Sequence, residues 1–107
     1  GAGGDSSPMK GIMSIREVAN RDTSNMFAQF MLGYGGMISG QLDKAAERFL
    51  NVIEHEPENN EAIFLLAETY ERLGEKKKAV YWFTEGRKRV SNPEVIQAID
   101  DKIKTLQ

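Results

Sequence analysis

Four short runs in this chain carry residue types that could do chemistry. Gly33-Tyr34-Gly35-Gly36 has the backbone freedom of a phosphate-cradling loop. The dinucleotide fingerprint, however, needs a third glycine where Ile38 stands, no strand pattern precedes the run, and no Gly-Lys-Ser/Thr follows it. Close helix packing is the better account, although each glycine inside a helix costs about 1 kcal/mol relative to alanine. Glu54-His55-Glu56 supplies metal-ligating atoms. Neighbouring side chains on a helix point roughly 100° apart, so these three do not converge on one ion. His55 is the single histidine and there are no cysteines. That excludes disulfides, thiolate metal sites, a cysteine nucleophile and a multi-histidine site within one chain. A serine hydrolase needs serine, histidine and acid to converge, and no nucleophile motif flanks His55. Asp100 and Asp101 are adjacent and read as solvated. No catalytic residue, metal or cofactor is therefore expected, and the chain reads as a non-enzyme.

The remaining two runs are basic: Lys76-Lys77-Lys78 and Arg87-Lys88-Arg89, with Tyr81 and Trp82 between them. Interleaved bases and aromatics suit single-stranded nucleic acid. The net charge of -2 argues against that partner, and Glu68, Glu71, Glu75 and Glu85 lie close enough in sequence to offset the cations. A solvated outer face is the simpler account. The 107 residues, 40% hydrophobic and 28% charged, make one ordinary globular domain. No apolar run approaches the roughly 20 residues of a membrane-spanning helix, so no membrane contact is expected from this chain.

The elements that must hold these residues are all helical. Residues 1–8 are small and polar and read as a flexible linker or tag remnant, the chain resembling an excised piece. Residues 9–107 form a single domain. Its first expected helix is Met9 to Arg21, with Ile12, Ile15, Val18 and Ala19 on one face. Helices follow over Met26–Ser39, Leu42–His55, from the Asn59-Asn60 cap to Leu73, over Lys76–Val90, and from Pro93 to about Leu106. Asp22-Thr23-Ser24-Asn25, Glu58-Asn59-Asn60 and Asn92-Pro93-Glu94 are expected to supply N-cap chemistry, in which a short side chain accepts an orphan backbone N–H. Gly40 and Gly74 end helices.

Shifted by 34 residues, the chain overlays itself: Asn25 on Asn59, Ala28 on Ala62, Phe30 on Phe64, Leu32 on Leu66, Gly40 on Gly74, Ala45 on Ala79, Phe49 on Phe83. A helix pair repeating at this period is a solenoid signature. One pair cannot cover its own apolar face, so stacking is required, with Phe49 and Phe83 in the wedge. With Leu32-Gly33, Ala45, Phe49 and Pro57 in one unit and Leu66-Ala67, Tyr70, Ala79 and Phe83 in the next, the sequence resembles the tetratricopeptide repeat family. Gln29 and Ile63 depart from its large aromatic, Gly36 from its tyrosine and Ser91 from its proline. The resemblance implies an all-α solenoid of antiparallel helix pairs in a right-handed superhelix of about six helices. Its repeats would span 26–59 and 60–93, with a closing helix at 94–106 and Met9–Asn25 as part of a broken earlier repeat.

The resemblance also implies a concave groove that binds a protein or peptide. Residue by residue, its positions fall on Phe27, Phe30, Tyr34, Met37 and Ile38 of one unit and on Glu61, Phe64, Glu68, Glu71 and Arg72 of the next. The groove is expected to be aromatic at one end and mainly acidic at the other. Phe30, Tyr34 and Leu65 stand where a carboxylate-clamping subclass carries Lys, Asn and Arg, which argues against such a clamp. The competing reading is structural: the apolar stripe packs on its own chain or on the partner of a homodimer. Similar small arrays in bacteria are often tethered to a membrane through an upstream helix, which the Gly/Ser-rich start would suit; localisation is otherwise open. The glycines of Met26–Ser39, Gly35 above all, mark it as the least stable helix.

Overall fold

The computed structural model describes residues 25–107. The linker over residues 1–8 and the expected helix Met9–Arg21 lie outside them. Five helices follow in order: α1 Met26–Ser39, α2 Leu42–His55, α3 Asn60–Leu73, α4 Lys76–Arg87 and α5 Pro93–Leu106. Each packs on its chain neighbour, and α1 also touches α3. Among the described residues the chain is an all-α solenoid of two stacked antiparallel pairs, α1–α2 and α3–α4, closed by α5.

Local chemistry sets the boundaries. The Ala28 backbone N–H donates to Asn25 Oδ1 at 3.0 Å, and Ala62 N–H does the same to Asn59 Oδ1 at 3.0 Å. Asn92 Oδ1 accepts from Glu94 N–H at 2.9 Å, with Pro93 beginning the helix. Gly40 and Gly74 adopt φ of 86° and 81°, the left-handed conformation that favours glycine. This lets Gln41 N–H reach back to the Gly36 carbonyl at 2.8 Å, and Glu75 N–H to that of Tyr70 at 2.9 Å. Both pairs therefore turn in the same way.

One boundary differs from the expectation. α4 stops at Arg87, not Val90. Arg89 N–H bonds the Gly86 carbonyl, three residues back, so the last turn tightens and the chain leaves toward Asn92. Only Arg87 of the three basic residues therefore lies in the helix.

Phe49, Val52, Ile63, Leu66, Ala67 and Ala79 are fully buried, and Phe83 is 6% exposed. Most of them belong to one continuous core that runs through both pairs. Fully burying one phenylalanine contributes roughly 1.5–3 kcal/mol. Gly33 is where α1 and α2 meet closely: a Cβ there would lie 2.9 Å from the Phe49 ring. Gln29 stands where α3 has Ile63 and is completely buried. Arg48 Nη1 donates to its Oε1 at 3.2 Å, satisfying a group that would be costly if left unpaired.

Candidate interaction groove

The groove positions stand at equal distances from two equivalent caps, on α1 and α3. On α1, Phe27 and Ile38 are more than 70% exposed, and Tyr34 and Met31 nearly half. Their 4-3-4 spacing makes one stripe along the helix. None of the fourteen residues of α1 is charged. Phe30 is half-buried, its ring standing edge-on against Phe49 with centroids 5.8 Å apart. Met37 is buried, so its side chain belongs to the core and not to an open wall. Sequence reasoning omitted Met31, which the structure exposes.

The matching face of α3 is chemically different. Glu61, Glu68 and Arg72 are exposed, and Phe64 and Glu71 are half-buried. Phe64 sits down against α4 because Gly86 has no side chain: a Cβ there would come within 2.5 Å of its ring. Lys102 Nζ of α5 pairs with Glu71 Oε2 at 3.1 Å, which binds the two helices at this face. Between α3 and α5 lies a cavity of about 410 Å³, lined by Phe64, Phe83, Val95, Ala98 and Ile99 with Glu94 and Lys102. Its size suits an apolar side chain. The α5 members were missed because that helix reads in sequence as a closing cap. Its Asn92 cap, with Ile99 as far beyond it as Leu66 is beyond Asn59, was the available signal.

The other chemistry-bearing runs are engaged elsewhere. Gly33-Tyr34-Gly35-Gly36 lies inside α1 and forms no loop. His55 ends α2, and its Nδ1 lies 3.0 Å from the Asn51 carbonyl oxygen, where the Nδ1–H tautomer donates. Arg87 grips Asp100 through Nε and Nη2, joining α4 to α5. This bond raises the arginine pKa and holds the Asp100 carboxyl below its ordinary value. Arg89 donates to the Pro57 carbonyl at 2.6 Å. Lys78 Nζ stands 5.4 Å from the centre of the Tyr70 ring, a cation–π distance. Burial, and secondarily the charge of Glu75, raise the Tyr70 pKa.

A family model for the tetratricopeptide repeat matches residues 37–99, more than half of the chain. The chain belongs to the tetratricopeptide repeat family. Comparison with curated proteins finds no match. Membership suggests a protein–protein interaction module, and the family's repeats are typically non-enzymatic scaffolds. Tetratricopeptide repeat domains generally bind protein partners. Among the described residues, no helix is long and apolar enough to cross a membrane.

Proposed function

We propose that this tetratricopeptide repeat domain grips a peptide or helix with apolar anchors along the face shared by α1 and α3. The observation that carries this reading is the charge-free α1 with Phe27, Tyr34 and Ile38 held open to solvent. A contiguous exposed apolar stripe of this kind is characteristic of an interaction site. Phe30 and Phe64 form the half-buried floor, and the cavity beside Phe64 accepts one anchor. Glu61, Glu68, Glu71 and Arg72 supply the polar rim that orients a partner, with Arg72 available to an acidic group. Met37 supports the wall from behind.

The test is capture of binding partners from cell extract by the intact domain and by a Phe27→Ala/Tyr34→Ala variant. Both residues are exposed, so the variant keeps its helix content. The reading expects partners held by the parent to be lost. Unchanged capture contradicts it.

A second reading has its own support. The 4-3-4 spacing of Phe27, Met31, Tyr34 and Ile38 is also that of a helix–helix seam, so a second copy could cover the stripe. Sedimentation with a mass that rises toward the dimer at micromolar concentration favours it; a constant monomer mass removes it.

A further inference from the structure

Three helices can be compared by counting from their Asn caps. The seventh residue is Leu66 in α3 and Ile99 in α5, and both are buried. In α1 it is Leu32, which is only partly buried. The tenth residue in α3 is Thr69, fully buried; in α1 it is Gly35, exposed, where an added Cβ meets nothing within 4 Å. α3 packs on the preceding α2, and α5 on the preceding α4. In α5 the tenth residue is Lys102, exposed at the end of the array, so α3 is the full comparison: the face of α1 that lacks cover is the one which α3 buries at both positions, and α5 at the seventh. This face of α1 borders a cleft of about 650 Å³ whose lining includes Met31, Leu32, Gly35 and Gly36, with Lys44 and Arg48.

We infer that residues 9–21 of this chain cover that face, standing to α1 as α2 stands to α3. Three observations select this occupant over a second copy or a foreign helix. The backbone at Asn25 has φ -80° and ψ 89°, and at Asn59 φ -77° and ψ 88°, so the two caps share one conformation. The turn from α2 to α3 runs over Glu56–Asn59, and Asp22–Asn25 occupies the same place one 34-residue period earlier. The buried residues of α2 are Ala45, Ala46, Phe49 and Val52. One period earlier these positions hold Gly11, Ile12, Ile15 and Val18, a small residue followed by three apolar ones. A segment with the same apolar pattern, ending the same number of residues before an equivalent cap, immediately precedes α1 in sequence. Phe27, Tyr34 and Ile38 do not line this cleft, and only Met31 is common to it and the stripe, so the inference does not rest on the groove reading.

The absence of cysteine allows a direct test on the full chain. Gly35→Cys places a thiol at the tenth position, where Thr69 shows that a side chain of similar size is accommodated between packed helices. Ile38→Cys reports the groove side and Val52→Cys the core. With a small alkylating reagent, the thiol at position 35 should react about 10-fold or more slowly than the one at position 38, as expected of a site reached only by local opening. Adding Ile12→Asp and Ile15→Asp should bring position 35 to the rate of position 38 while position 52 stays slow. If position 52 also quickens, Ile15→Ala replaces the pair, and position 35 must then gain more rate than position 52. Equal rates at positions 35 and 38 in the otherwise unaltered chain overturn the inference. So does protection of position 35 that is indifferent to the substitutions, and so does protection that grows with protein concentration, which would assign the face to a second copy.

Discussion

The two helix pairs of this domain share one backbone plan and solve its close contacts with different side chains. In the second pair Ala67 and Phe83 are both buried; in the first, Gly33 takes the alanine position and the Phe49 ring lies too close for a methyl group. Tyr70 fills its corner of the second pair under Lys78, whereas Gly36, one period earlier, borders a cleft beside Lys44. α3 carries four charged residues at its groove positions and α1 none. The first pair gives up helix propensity and surface charge, and gains an apolar wall. The difference shows how a repeat can keep its fold while one copy is turned toward binding.

Removing the wedge should have the largest effect. Phe49→Ala empties a fully buried site in the shared core and should cost about 3–5 kcal/mol in chemical unfolding. An effect much smaller than that of Phe83→Ala would reverse the order of tightness between the pairs. Gly33→Ala comes next. Helix propensity alone favours alanine by about 1 kcal/mol. The new Cβ meets a fully buried ring at 2.9 Å, so a net loss of about 1–3 kcal/mol is expected. A gain would show that Gly33 is not held by Phe49.

Gly35→Ala is a sharper and smaller test, because its Cβ meets nothing among the described residues. Stabilisation approaching about 1 kcal/mol is expected. Residue-resolved hydrogen exchange should show α1 opening before α3 in the parent and less readily in the variant. α1 among the slowest segments would contradict the assignment of low local stability.

The smallest effect concerns the joint between the second pair and α5. Arg87 lowers the Asp100 pKa in the folded chain. The contribution is thus fully present above the ordinary carboxylate value of about 4 and is lost as pH falls through the depressed folded value. Carbon-detected titration should place Asp100 below the ordinary aspartate value, and Arg87→Gln should raise it toward that value. An unchanged Asp100 would mean that the bond is not held in solution.

Apart from the end of α4, which lies at Arg87 and not Val90, the helix ends were legible in the sequence because asparagine caps and terminal glycines carry local chemistry that needs no tertiary context. Phe49 and Phe83 could be placed in the core for the same reason that the repeat was visible. The wall of α1 was harder to read. A helix without charge has no polar side to mark its exterior, so the register of the resemblance put Met37 with Phe27 and Ile38, while packing buries it. The pairing of Gln29 with Arg48 and the seating of Phe64 over Gly86 join residues far apart in the chain, and no local pattern announces either.

A photo-crosslinking side chain placed in turn at Ile38 and at Arg72, the equivalent positions of the two pairs, tests the central claim most directly. Discrete polypeptide adducts that are strong from position 38, weaker from 72 and lost with Phe27→Ala/Tyr34→Ala are the expected result. Equal or absent adducts from position 38 in the parent would show that the apolar wall of α1 is not where this domain holds its partner.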